Sequence, residues 1–114
     1  MTASAKRTWT AVCPVGAVPE SGGVAALLHG AVQVAIFRLP GGDFYGLSNM
    51  DPMSGAAVLS RGIVGDGDGV PVVASPIYKQ RFDLRSGACL DEEGVSVPTY
   101  PILVANGVVH VGSP

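Results

Sequence analysis

Apolar positions along this chain either alternate with polar ones or cluster in short runs bounded by Gly, Pro, Asn and Asp, the pattern of strands joined by turns. Thr8 to Val12 alternates, with Trp9 and Ala11 on one face and Thr10 and Val12 on the other, and Pro14 and Gly16 end it, which predicts a first strand. Val24 to Leu28 and Val32 to Leu39 are apolar runs separated by His29-Gly30-Ala31, a hairpin signal. Pro40-Gly41-Gly42-Asp43 then turns the chain into Phe44 to Leu47, giving three consecutive antiparallel strands. From Ser48 to Gly69 the strand pattern stops, which predicts a long loop with one short helical turn near Ala56 to Leu59. A loop of that length in a small domain is functional or is held by something specific. Strand character resumes at Val70 to Ala74 and breaks at Ser75-Pro76, since proline cannot donate to a ladder. Lys79 to Leu84 alternates, Arg85-Ser86-Gly87 turns, and Ile102 to Ala105 pairs with Val108 to Val111 across Asn106-Gly107, the strongest short-range hairpin signal.

Composition agrees with this pattern. A chain of 114 residues that is 47% hydrophobic and 14% charged, with 16 glycines and 9 prolines, fits one all-β domain over residues 8–112 behind a flexible tail at 1–7. The net charge of −2 and the lack of a basic run beyond Lys6-Arg7 argue against a nucleic-acid partner. No apolar stretch approaches the ~20 residues that cross a bilayer, and Pro14, Pro19 and Glu20 interrupt any signal-peptide core, so no membrane partner and a cytoplasmic location are expected. Cys13 and Cys89 are far apart in sequence and outside any C-x-x-C arrangement, which suits reduced core residues.

Candidate chemistry is sparse. The Gly65-Asp66-Gly67-Asp68-Gly69 tract invites comparison with a calcium loop, but placing Asp66 first puts Ile77 where the bidentate glutamate belongs. His29 and His110, the only histidines, fall in a predicted turn and a predicted strand, with no oriented nucleophile beside either. Met50 and Met53 flank Asp51 without a His or Cys to complete a soft-metal site. No catalytic centre belonging to this chain is expected.

Two segments carry a family resemblance. Leu47-Ser48-Asn49-Met50-Asp51-Pro52-Met53-Ser54-Gly55, followed by Leu59-Ser60-Arg61-Gly62, resembles the first ligand loop of a Rieske domain. Val72-Val73-Ala74-Ser75-Pro76-Ile77-Tyr78-Lys79-Gln80-Arg81-Phe82-Asp83-Leu84 resembles the second, C-P-x-H loop with its trailing R-F-D-L. The resemblance implies an all-β, Rieske-like fold of stacked antiparallel sheets with two long loops at the cluster site. It places the two cysteine ligands at Asp51 and Ser75 and the two histidine ligands at Met53 and Tyr78, so no iron–sulfur cluster is expected in this chain. Asp51 is expected to cap its turn, and Tyr78 to fill the vacated space with its ring.

This form of the two loops, with D-P-M-S, L-S-R-G and S-P-I-Y-K-Q-R-F-D-L, resembles the small-subunit family of assimilatory NAD(P)H-dependent nitrite reductases. That implies a role in reducing nitrite to ammonium as a non-catalytic partner of a large subunit, which would hold FAD, siroheme and an iron–sulfur cluster. Arg61, Lys79, Arg81 and Arg85 are the candidate partner surface. Two alternatives remain: an adaptor in another redox system, and a small-ligand binder in which Asp51, Ser75 and Tyr78 converge.

Overall fold

The computed structural model describes residues 8–113, so the tail expected at 1–7 lies outside the described residues. Ten strands account for the regular structure: β1 (Trp9–Pro14), β2 (Gly22–Leu27), β3 (Gln33–Arg38), β4 (Phe44–Ser48), β5 (Ile63–Gly67), β6 (Val70–Ala74), β7 (Arg81–Asp83), β8 (Thr99–Tyr100), β9 (Ile102–Ala105) and β10 (Val108–Gly112). Among the described residues the only helical turns are short 3₁₀ segments, and no helix is long and apolar enough to cross a membrane. The fold is all-β.

Three antiparallel sheets form, in the orders β1-β10-β9, β2-β3-β4-β8 and β5-β6-β7. The β3 strand explains how they stack. Its run Val34-Ala35-Ile36-Phe37 is continuous rather than alternating, and all four residues are buried. A strand covered on both faces has that signature. Ala35 and Phe37 face one core with Leu47, Leu59, Leu84, Val97, and Val73 and Phe82 of the β5-β6-β7 sheet. Val34 and Ile36 face a second core with Val18 and with Val109 and Val111 of the β1-β10-β9 sheet. Full burial of each such side chain contributes roughly 1.5–3 kcal/mol, so the middle sheet is clamped from both sides. The two cysteines are free and pack against different cores, Cys13 on the second and Cys89 on the first.

The turn chemistry predicted from the sequence recurs in the structure. Asn106 and Gly107 take left-handed φ values of 54° and 74° and join β9 to β10 with Ala105 opposite Val108. The expected hairpin through His29-Gly30-Ala31 pairs β2 with β3 from Gly22 opposite Arg38 to Leu27 opposite Gln33.

The loop expected over Ser48 to Gly69 requires correction. Its last residues form β5, which pairs with β6 across Asp68-Gly69, whose φ values of 57° and 87° make a tight hairpin. Gly65 and Gly67 weaken the strand signal, yet Asp-Gly is a hairpin turn pair. Asp66 Oδ1 accepts the Gly69 N–H at 2.5 Å and fastens that turn. The short helical turn lies slightly later than expected, at Leu59–Arg61. β8 has no sequence signal of its own. It forms because β4 offers an edge, and Gly46, opposite Tyr100, lets the backbones close up where a Cβ would strike the Tyr100 carbonyl.

Candidate functional site

The two loops that follow β4 and β6 share one backbone design. In the first, the Asp51 N–H donates to the Ala56 carbonyl at 2.8 Å, the Gly55 N–H to the Asp51 carbonyl at 2.7 Å, and the Met53 N–H to Asp51 Oδ1 at 2.9 Å. In the second, the Ser75 N–H donates to the Gln80 carbonyl at 2.8 Å, the Lys79 N–H to the Ser75 carbonyl at 3.0 Å, and the Ile77 N–H to Ser75 Oγ at 3.3 Å. The offsets match residue for residue, and each loop has proline second. Both fifth residues are left-handed, Gly55 at φ 74° and Lys79 at φ 69°. The first is a glycine, for which this conformation is free. The second is a lysine, for which it is unfavourable.

Equivalent first residues of the two loops meet. Ser75 Oγ donates to Asp51 Oδ2 at 2.5 Å, within the range of charge-assisted O–H···O⁻ bonds, and both residues are fully buried. Burial pushes the Asp51 carboxyl up. The Ser75 hydroxyl, the Met53 N–H and Ser54 more than offset that and hold it below the usual carboxylate range. Asp51 therefore caps its own turn, as the sequence suggested, and also clasps the second loop.

Asn49 anchors the clasp from behind. Its Nδ2 donates to Gln33 Oε1 at 3.0 Å and to the Ala57 carbonyl at 3.2 Å, while its Oδ1 accepts the Ser60 N–H at 2.7 Å. One buried amide thus ties the loop to the start of β3 and to the 3₁₀ turn at Leu59–Arg61. In the sequence Asn49 stands out only as part of the loop motif; its burial at 2% exposure shows the structural task.

Tyr78 departs from expectation. It was to fill the vacated space, yet it is 59% exposed and Met53 is 38% exposed, so neither enters the gap. Between the loops the Asp51–Ser75 contact stands where the ring was expected.

The four positions do not fit an iron–sulfur cluster. A Rieske centre takes thiolates on one iron and imidazoles on the other. Asp51, Met53, Ser75 and Tyr78 supply neither, and the two buried ones already touch. Among the described residues no group of three or more His, Cys, Asp or Glu is placed to hold a metal ion. His29 is exposed, and His110 Nδ1 lies 3.1 Å from the Val108 carbonyl oxygen. A cleft of about 560 Å³ lies at the far end of β4 and β6, where it is lined by Asp43, Tyr45, Asp66 and Arg85. It does not involve the loops.

The four candidate surface cations divide into two pairs. Arg81 is held by Asp91 through bonds of 2.7 and 3.0 Å, and Arg85 is held by Asp83 at 3.2 Å. Hydrogen bonds from Arg81 lower the Asp91 carboxyl to about 2. Lys79 Nζ reaches only the Pro76 carbonyl, and Arg61 has no ion-pair partner among the described residues.

A profile of the Rieske-like [2Fe-2S] domain family matches residues 8–112. The chain is 42% identical over 104 residues to the nitrite reductase (NADH) small subunit of Escherichia coli strain K12, covering 90% of this chain and 95% of that one. It is 46% identical over 107 residues to the nitrite reductase [NAD(P)H] large subunit of Klebsiella oxytoca, covering 94% of this chain and 11% of that protein. The NMR structure of the Escherichia coli protein NirD superimposes with a TM-score of 0.86 at 39% identity, covering 95% of this chain and 98% of that one.

Proposed function

The chain belongs to the Rieske-like [2Fe-2S] domain family, and from that premise we propose that it is the small subunit of a cytoplasmic NAD(P)H-dependent nitrite reductase, docked on a large catalytic subunit. FAD, siroheme and an iron–sulfur cluster belong to the large subunit in this reading, and electrons pass from NAD(P)H to nitrite there. The observation that carries it is the match to a nitrite reductase small subunit over nearly the whole of both chains. The match to a stretch of the Klebsiella oxytoca large subunit supports the same association, since in that protein such a domain is part of the large subunit's own chain.

What this chain contributes is a rigid, cluster-free pair of loops. The Asp51–Ser75 clasp does the cross-linking that a cluster does in a true Rieske domain, without redox chemistry. The candidate docking cations reduce to Arg61 and Lys79 once the internal pairs of Arg81 and Arg85 are set aside.

The test is affinity purification of the tagged chain from its source cells grown on nitrate, with partners identified by mass spectrometry and the eluate examined by absorbance. A large flavin- and siroheme-containing partner beside a colourless small chain is expected. Recovery of no redox partner would overturn the proposal.

A further inference from the structure

The ends of the two clasped loops carry four exposed apolar side chains. Met50 is 47% exposed, Met53 38%, Ile77 43% and Tyr78 59%, all within three residues of Asp51 or Ser75. A small soluble domain seldom shows so many large apolar groups on two adjoining loops unless they meet a partner. Met and Tyr are also side chains that interfaces favour. Beside them stand two cations free of internal pairing, while the nearby Arg81 is neutralised by Asp91. Residues 47–62 and 74–81 contain one acid, Asp51, which is buried, while Arg61 and Lys79 are exposed without a carboxylate partner among the described residues. The chain as a whole carries −2, so its negative charge lies elsewhere.

Lys79 adds an independent observation. It occupies the left-handed position that its sister loop gives to Gly55, and its side chain gains there one exposed bond of 3.2 Å to the Pro76 carbonyl. Backbone strain of this kind clusters at functional sites.

We propose that this loop end is the face by which the chain docks, an apolar centre of Met50, Met53, Ile77 and Tyr78 rimmed by Arg61 and Lys79. Its occupant is an acid-rimmed apolar patch on the nitrite reductase large subunit. The inference rests on the small-subunit reading for the partner's identity. The clasp keeps the face in shape before docking, which lowers the ordering cost of association.

The experiment measures affinity of the purified large subunit of the same organism for the wild-type chain and for Tyr78→Ser, Lys79→Gly and Lys79→Glu, at two salt concentrations. Leu103→Ser, at an exposed apolar residue on β9, is the control. Tyr78→Ser is expected to weaken binding roughly tenfold or more, as for a central interface residue. Lys79→Gly is expected to weaken binding and flatten its salt dependence while raising thermal stability, a combination that a purely structural lysine would not produce. Lys79→Glu should weaken binding further, and Leu103→Ser should match wild type. If the wild-type chain binds and the three loop variants bind equally well, the docking face is wrong and the small-subunit reading stands. If the wild-type chain itself does not bind, that reading falls, and the proposed occupant with it.

Discussion

Replacing Ser75 with alanine isolates the clasp. The substitution removes one hydroxyl and leaves Asp51 Oδ2 fully buried without its donor from the second loop. A hydrogen bond to a charged group is worth about 1.5–3 kcal/mol. At roughly 2.1 cal/mol/K of unfolding entropy per residue, 1 kcal/mol lowers the Tm of a 114-residue domain by about 4 °C. The variant should therefore melt roughly 6–12 °C below wild type at pH 7. The pH dependence supplies a second signature. Folded Asp51 titrates below its unfolded value, so the stability it contributes is complete above about pH 4 and is lost as pH falls through the folded value. Loss of the Ser75 hydroxyl removes a bond that lowers the folded value, so the gap between variant and wild type should narrow below about pH 4. Thermal unfolding by circular dichroism across pH 3–7, with hydrogen exchange of residues 49–56 and 75–80, reads both effects. A melting shift under about 2 °C with unchanged exchange in both loops would refute the clasp, since a solvated bond contributes little.

Other consequences can be checked on the same protein. Asp91 should remain ionised down to about pH 2 in a carboxyl NMR titration, and Arg81→Gln should return it toward the ordinary carboxylate range. Gly87→Ala should destabilise the fold by more than about 2 kcal/mol in urea unfolding, because Gly87 has φ 80° and a Cβ would strike the Val97 carbonyl oxygen. Burial raises the Cys13 thiol above its ordinary range, so Cys13 should react slowly with a thiol reagent near neutral pH.

Much of the fold was legible in the sequence because its turns carry strong local chemistry. Asn106-Gly107 and Pro40-Gly41-Gly42-Asp43 require backbone conformations that few other residues tolerate, and both form the hairpins they predict. The apolar run that marked β3 as one arm of a hairpin did not show that both its faces are buried, which only the flanking sheets reveal. β5 was hidden by its glycines, and β8 exists only through pairing with β4, a long-range event with no local trace. At the loops, the sequence marked the positions of Asp51 and Ser75 but not their relation. Two short polar residues 24 apart say nothing of a shared hydrogen bond until the sheets bring β4 and β6 side by side across the first core. Tyr78 was misplaced for a related reason. An aromatic ring suggests burial, but at the loop end Tyr78 turns outward and the two short polar side chains meet instead.

This member of a cluster-binding family holds its two loops by a carboxylate–hydroxyl bond, and the side chains at its four ligand positions offer a cluster neither thiolate nor imidazole. Anaerobic reconstitution of the purified chain with iron and sulfide, followed by desalting and quantification of both together with the visible spectrum, tests it most directly. Neither iron nor sulfide should be retained in stoichiometric amount, and no visible absorption should develop. A full [2Fe-2S] complement retained with a Rieske-type spectrum would contradict it.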